Sequence, residues 1–161
     1  MRRTALTLGA AALALDAAPA CAALQDALPR QAEAPQPAIV AEAERFMADY
    51  ARELASGDRA AIADRYDRRG AWRVGNGEKA LQSWEEIRAF YAGAGWSPPS
   101  SFAWRDLSFE PLGHDAVVVV GLFDWGLGGG RAPLTVSYTG LLVRRHGALR
   151  IRLEDESAAR R

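Results

Sequence analysis

The apolar side chains of this sequence change their spacing at Pro98-Pro99, and that change constrains the fold more than any other feature. Before these prolines, apolar residues recur at intervals of three and four, which is typical of helices with one buried face. After them, apolar and polar residues alternate, which is typical of strands with one buried face. Helices gathered first and strands gathered last predict an α+β domain, with the helices packed on one face of an antiparallel sheet.

The first part of the chain predicts three helices. The first helix begins near Ile39 and ends at Ser56-Gly57, and Asp58 is placed to cap the second. The third helix opens with a capping box, Ser83-Trp84-Glu85-Glu86, whose outer two side chains can satisfy each other's free backbone amides. A brief strand over 71–74 separates the second helix from the third.

The second part of the chain predicts four strands joined by short turns. They cover 102–110, 116–125, 134–145 and 149–156. Consecutive strands with short connections are antiparallel neighbours. The sequence therefore predicts a four-stranded meander on which the three helices pack.

The N-terminus has the three-part layout of a secretory signal peptide. Two arginines precede an uncharged stretch rich in Ala and Leu, and small residues follow as far as Ala23. The apolar stretch is well below the roughly 20 residues that cross a bilayer as a helix, so we expect it to be removed and not to serve as an anchor. The predicted organisation is a signal peptide over 1–23, a flexible tether over 24–38, a folded domain over 39–157 and a disordered tail over 158–161.

These features predict export, to the periplasm or out of the cell. The one cysteine, Cys21, lies in the signal segment. It is either a small residue beside the cleavage site or the lipidated first residue of a lipoprotein. Lipidation is the weaker alternative, because Ala18 stands where such motifs usually have Leu. No stretch after Ala23 approaches spanning length, so we expect no stable membrane span.

Three local patterns, in order and at suitable spacing, resemble the SnoaL-like, nuclear transport factor 2-like superfamily. They are Tyr50-x-x-x-Leu54-x-x-Gly57-Asp58 with Tyr66 eight residues later, Gly77-x-x-Ala80-x-x-x-Trp84-x-x-Ile87-Arg88-x-Phe90-Tyr91, and Leu149 to Ser157. The resemblance implies a cone-like, cystatin-type roll, with three N-terminal helices packed on a curved antiparallel sheet. Members include isomerases, polyketide cyclases, dehydratases and binding subunits, so the fold alone does not assign a function.

The ketosteroid isomerase branch of that superfamily is matched only in part. Tyr50 corresponds in spacing to the tyrosine of its oxyanion hole. Val74, however, stands where the proton-shuttling aspartate would fall, and an aliphatic side chain cannot move a proton. The second aspartate of the branch would fall within 137–139, where no carboxyl is present. The resemblance therefore implies that the isomerase mechanism of that branch is not used here.

Composition argues against several classes of partner. Lys and Arg together number 20 and so do Asp and Glu, so the chain has no basic field that would hold a nucleic acid. The two histidines lie beside turn glycines and have no second His or Cys at ligand spacing, so we expect no metal. The glycine run over 126–130 links two strands and is interpreted as a hairpin loop, not a phosphate cradle. We therefore expect no cofactor.

Aromatic side chains give the best indication of a cavity. The predicted lining residues are Tyr50, Trp72, Tyr91, Trp104 and Tyr138. Buried Tyr and Trp generally need a polar partner, and a cone lined by such rings with one or two carboxylates suits a small apolar ligand that carries a polar group. Plain core packing is the alternative for each of them.

Two carboxylates are candidate catalytic groups. Asp155 has the parity of the apolar residues in the last strand, so it is predicted to point inward, either at a pocket mouth or where the strand frays. The charges that alternate with those apolar residues, including Glu154, are predicted to face solvent or a partner. Asp124 points inward if its own parity lines the cone. If the other parity does, Phe123 and Trp125 point inward instead.

Two functional hypotheses follow. The first is an exported, cofactor-free domain that binds a small apolar ligand, with acid–base turnover of the isomerase, cyclase or dehydratase type. It would use Asp124 or Asp155 and a hydrogen bond from Tyr50 or Tyr138. The alternative is a non-catalytic module, either a homodimer formed through the outer sheet face or an accessory protein with a filled cone. An open pocket of roughly 300 Å³ or more with a carboxylate on its wall favours the first hypothesis.

Overall fold

The structure is a computed structural model that describes residues 38–75 and 77–158. The predicted signal peptide with Cys21, nearly all of the tether and most of the predicted tail lie outside the described residues. Within them, the helices are α1 (Ala38–Ser56), α2 (Arg59–Asp64) and α3 (Trp84–Ala92). The strands are β1 (Ala71–Gly75), β2 (Glu78–Gln82), β3 (Phe102–Pro111), β4 (Ala116–Trp125), β5 (Leu134–Arg145) and β6 (Ala148–Ala158). The predicted α+β class, with its helices N-terminal to the meander, is confirmed.

Local sequence signals account for the helix ends. Gly57 adopts a positive φ of 73°, and its amide donates to the carbonyl of Leu54 at 3.2 Å, which closes α1. The side chain of Asp58 accepts from the amide of Ala61 and caps α2. At α3 the amide of Ser83 donates to Glu86 at 2.7 Å and the amide of Glu86 donates to Ser83 at 3.2 Å. The predicted capping box is confirmed.

The sheet has six strands in the order β2-β1-β6-β5-β4-β3. All neighbours are antiparallel except β1 and β6, which pair in parallel. The four predicted strands of the meander and the brief strand β1 are present. The hairpin partner β2 was not predicted, because most of its side chains are exposed and give no apolar alternation.

Two irregularities bend the sheet. In β3 the register shifts between Arg105 and Ser108, where Asp106 has a φ of 51°. In β6, Ile151 and Leu153 pair with consecutive residues of β5, so Arg152 is an extra residue and forms a β-bulge. A bulge bends a strand and reverses the alternation of side chains beyond it. The bulge at Arg152 decides which side chains of β6 face the helices.

The helices cover the inner face of the sheet and bury one continuous core. At its centre lie fully buried side chains from both layers, including Met47, Ile62, Ile87, Val117, Leu142 and Ile151. Trp104 of β3 joins the layers, because its indole donates to the carbonyl of Met47 in α1 at 2.9 Å.

Among the described residues, none of the helices combines the length and apolar character that a bilayer span requires.

Candidate functional site

An open pocket with a volume of about 350 Å³ lies at one end of the core, where the helices and the inner sheet face separate. Most of its wall is apolar, with rings contributed by Tyr50, Phe90, Tyr91, Trp96, Phe123 and Trp125. We call it the aromatic pocket. Arg73 and Glu156 supply the charged part of the wall. A concave apolar surface with few polar groups is typical of a site for a small organic ligand.

Arg59 fixes the segment that brings Trp96 to this pocket. Its guanidinium donates to the carbonyls of Tyr91 at 2.6 Å, Gly93 at 2.8 Å and Trp96 at 3.0 Å. It also lies 5.2 Å from the centroid of the Trp96 ring. The turn after α3 is therefore held to α2, and one wall of the pocket is preformed.

Three tyrosine hydroxyls form a hydrogen-bonded cluster beside the pocket. The Tyr66 hydroxyl donates to Oε1 of Glu154 at 2.6 Å and lies 3.0 Å from the Tyr50 hydroxyl and 2.8 Å from the Tyr91 hydroxyl. A hydroxyl has one proton and two lone pairs. Since Tyr66 uses its proton on Glu154, Tyr50 and Tyr91 are the donors in the other two bonds. The protons of the Tyr50 and Tyr91 hydroxyls are thus used in hydrogen bonds to Tyr66.

Glu154 accepts hydrogen bonds from Tyr66 on one side and Arg73 on the other. Its side chain is buried, with 1% of the residue exposed, and Nε of Arg73 donates to Oε1 at 3.1 Å. Arg73 also lies 4.6 Å from the centroid of the Phe90 ring. Burial raises the pKa of Tyr50, Tyr66 and Tyr91, and the charge of Glu154 raises each further. All three hydroxyls therefore stay protonated.

Glu156 is the titrating group of the site. Burial, together with the negative charge of Glu154 two residues earlier, raises its pKa from 4.5 to about 8, although Arg73 opposes the shift. Glu156 is therefore mainly protonated at neutral pH. Its neighbour Glu154 accepts hydrogen bonds from Tyr66 and Arg73. A carboxyl group whose surroundings keep it protonated at neutral pH is a recurring component of acid–base sites.

The bulge at Arg152 explains why the site uses these two glutamates. Before the bulge, Leu149 and Ile151 point into the core, as predicted. Beyond it the alternation is reversed, so Glu154 and Glu156 point inward. The expectation that Glu154 faces solvent is wrong, and so is the inward parity expected of Asp155. Asp155 lies on the outer face, where it accepts from the Ser157 hydroxyl at 3.1 Å.

The second candidate carboxylate, Asp124, also lies on the outer face. It accepts from the Thr135 hydroxyl at 2.7 Å and forms an ion pair with Arg105 at 3.4 Å. The other parity of β4 lines the cone, so Phe123 and Trp125 reach the aromatic pocket. This is the second of the two alternatives that the sequence left open.

The five predicted pocket aromatics occupy three kinds of position. Tyr50 and Tyr91 line the aromatic pocket. Trp104 and Tyr138 pack against each other in the core, with ring centroids 4.9 Å apart. Trp72 is 38% exposed on the outer face, because its neighbour Arg73 takes the inward position opposite Glu154. The structure therefore places two of the five on the pocket wall and Trp72 away from it.

Known structures share this architecture. An NTF-2-like protein of unknown function from Shewanella oneidensis superimposes with a TM-score of 0.65 at 18% identity, over 73% of this chain and 98% of that one. A ketosteroid isomerase-like protein from Erwinia carotovora atroseptica gives a TM-score of 0.61 at 16% identity, over 75% and 96%. This chain has the NTF2-like fold. A cystatin-like fold protein from Burkholderia xenovorans gives 0.63 at 22% identity, over 78% and 95%.

The match to the NTF2-like fold rests on structure. No protein-family model matches the sequence, and no curated protein matches it. The resemblance seen in the sequence is thus confirmed for the fold, including the curved sheet and its N-terminal helices. At these identities, the residues of the site must supply the argument for function.

Sequence reasoning missed four polar residues of the pocket wall and the tyrosine cluster: Tyr66, Arg73, Glu154 and Glu156. Tyr66 was part of the pattern that follows Asp58, but nothing in its spacing showed that its hydroxyl would meet a glutamate of the last strand. Arg73 and Glu154 become neighbours only through the parallel pairing of β1 with β6.

Among the described residues, no group of three His, Cys, Asp or Glu is arranged to hold a metal ion.

Proposed function

We propose that this protein is a cofactor-free acid–base enzyme of the isomerase, cyclase or dehydratase type. Its substrate would be a small, mostly apolar molecule that carries a polar oxygen. The observation that carries the proposal is Glu156, a carboxyl with a pKa of about 8 on the wall of an aromatic pocket of about 350 Å³. This open volume supports the ligand-binding hypothesis. It does not support the alternative of a cone filled by its own side chains.

Glu156 would act as a general acid in the resting protein. The apolar body of the substrate would lie against the rings of the pocket, with its oxygen facing Glu156. The protonated carboxyl would donate its proton to a carbonyl or departing hydroxyl oxygen. Arg73 would then stabilise the glutamate anion, because its positive charge favours that form. The carboxylate so formed would take a proton from the neighbouring carbon as the double bond forms, which regenerates the acid. The tyrosines act indirectly, since Tyr66 donates to Glu154, whose charge adds to burial in raising the pKa of Glu156.

The test begins with a ligand and continues with a matched pair of variants. A thermal-shift screen of the purified protein against small hydrophobic ketones and alcohols would identify ligands, because a ligand that binds only the native state raises Tm. Turnover of each hit is then measured by mass spectrometry. We expect Glu156→Gln to keep binding and to lower kcat by about 10²–10⁴-fold, the usual contribution of general acid–base catalysis.

The control is Asp155→Asn, which removes the neighbouring carboxylate on the outer face and should leave kcat within about twofold, as expected for a surface position. Loss of turnover in Asp155→Asn with full turnover in Glu156→Gln would reverse the assignment. Binding without turnover of any hit would favour the non-catalytic binding module.

The outer sheet face supports the homodimer considered from the sequence. Apolar side chains run across it in paired positions, from Leu81 and Trp72 to Leu153, Leu141 and Val118. Leu81 is 51% exposed and Trp72 is 38% exposed. A self-complementary apolar face of this kind suits a second copy of the same chain related by a twofold axis.

Light scattering coupled to size-exclusion chromatography would test this dimer. We expect the mass of two chains, and the mass of one chain for Val120→Lys, which places a charge at an exposed position of the outer face. Leu112→Lys places the same charge at another exposed position, in the turn beyond β3, and should not alter the mass. A single-chain mass for the unchanged protein at micromolar concentration would exclude the dimer.

A further inference from the structure

A second pocket, with a volume of about 270 Å³, lies beside the β1–β2 hairpin. Polar and charged side chains dominate its wall, including Arg73, Glu78, Gln82, Glu154 and Glu156. We call it the polar pocket. It contrasts with the ring-lined aromatic pocket in the chemistry that it offers to a ligand.

The two pockets share part of their walls. Arg73 and Glu156 line both of them. In the register of the sheet, Arg73 lies opposite Glu154, and Ala80 of β2 lies opposite Arg73 on the same face. The polar pocket is therefore a continuation of the inner sheet face toward its β2 edge. Arg73 and Glu156 divide a single concave surface into an apolar and a polar compartment.

Two acceptor oxygens in the polar pocket have no hydrogen-bond donor as a partner. Oε2 of Glu154 and Oε1 of Gln82 are buried and have no hydrogen-bond partner among the described residues. A buried acceptor without a partner is costly, and a carboxylate oxygen is costlier than an amide oxygen. Glu154 uses its other oxygen for Tyr66 and Arg73. Each of these two oxygens can therefore accept a hydrogen bond from a donor on a ligand.

We propose that the polar pocket takes the hydrogen-bond-donating end, a hydroxyl or an ammonium group, of the same molecule whose apolar body occupies the aromatic pocket. This inference rests on the proposed function for the binding of that body. Both end groups bring N–H or O–H donors to the free oxygens of Glu154 and Gln82. A carboxylate end brings no donor to these two oxygens and would leave both without a partner, although Arg73 and Lys79 lie on the same wall.

Four phenyl compounds with bodies of similar size test the end group directly. They are 2-phenylethanol, 2-phenylethylamine, ethylbenzene and phenylacetate, and their Kd values for the purified protein would be measured by calorimetry at pH 7. We expect the alcohol or the amine to bind about tenfold more tightly than ethylbenzene, the size of one good hydrogen bond to a charged group. Phenylacetate should bind more weakly than the alcohol or the amine, because it brings no donor to the free oxygens of Glu154 and Gln82. Comparison of the alcohol with the amine identifies which donor the site prefers.

Two variants locate the preference. Gln82→Leu removes one free acceptor, and Ala80→Phe fills the polar pocket from an exposed position that has little effect on folding. Each should reduce the advantage of the donor-ended compounds over ethylbenzene to less than about threefold, because the donor loses its acceptor or its space. The control is Leu127→Ala in the aromatic pocket, which should weaken all four compounds by a similar factor.

The outcomes separate this inference from the proposed function. Similar Kd values for the alcohol, the amine and ethylbenzene would overturn the role of the polar pocket and leave the aromatic pocket as the binding site. A donor preference that survives both Gln82→Leu and Ala80→Phe would also overturn it. If none of the four compounds binds, the aromatic pocket does not accept an apolar body, and both proposals fail.

Discussion

The two halves of β6 pair with the same strand, β5, yet they contribute different kinds of side chain to the inner face of the sheet. Before the bulge at Arg152, Leu149 and Ile151 are almost wholly buried and complete the hydrocarbon core. After it, Glu154 and Glu156 enter the cavity as a linked pair of carboxyl groups. The difference shows that one additional residue separates a part of the strand that stabilises the fold from a part that carries chemistry.

Truncating a side chain on the core side of the bulge should lower the stability of the protein more than truncating one on the outer face beyond it. Ile151 is fully buried, so Ile151→Ala leaves a cavity and should lower the free energy of unfolding by about 2–5 kcal/mol. Urea denaturation followed by circular dichroism measures it. Leu153→Ala, on the outer face beyond the bulge, is the control and should cost about 1 kcal/mol. Equal losses in the two variants would mean that β6 does not change its buried face at Arg152.

On the site side, replacing a carboxyl should stabilise the protein at high pH. The pKa of Glu156 is about 8 in the folded chain and 4.5 is its ordinary value, so the folded chain binds more protons between these limits. The contribution of Glu156 to stability is therefore complete below pH 4.5 and is lost as the pH rises through 8. Gln cannot ionise, so Glu156→Gln should unfold like the unchanged protein at pH 4 and be more stable at pH 9, by up to about 5 kcal/mol, the free energy that corresponds to the difference between the two pKa values.

Denaturant titrations at pH 4, 7 and 9 would measure this dependence. Asp155→Asn is the matched control, and its difference from the unchanged protein should stay within about 0.5 kcal/mol at each pH, as for most surface substitutions. A Glu156→Gln variant that is less stable than the unchanged protein at pH 9 would show that the surroundings do not raise the pKa of the glutamate.

Most of the fold could be predicted from the sequence, because local physics specifies it. The apolar stripe of α1, the capping box of α3 and the alternation in β3 to β6 each depend on neighbouring residues. The hairpin strand β2 could not be predicted, since its side chains are exposed and carry no alternation. The bulge was also hidden, because Leu149, Ile151 and Leu153 alternate in the sequence as they would in a regular strand.

The site was less predictable than the fold. Tyr50 and Tyr91 could be named as pocket residues because they lie on helix faces whose direction the spacing defines. The carboxyl groups could not, because Asp155 and Glu154 exchange faces at an irregularity that only the pairing with β5 shows. Arg73 required the parallel contact of β1 with β6, which joins residues 81 positions apart.

The extra residue in β6 also bears on how such a cavity could change over evolutionary time. Loss of the Arg152 codon would remove the bulge and place Glu154 two positions after Ile151 in a regular strand, so both glutamates would still point inward. One residue inserted after Leu153, with the bulge kept, would instead turn Glu154 and Glu156 to the outer face. A single in-frame insertion, without any substitution, would thus be enough to remove both carboxyl groups of this strand from the cavity.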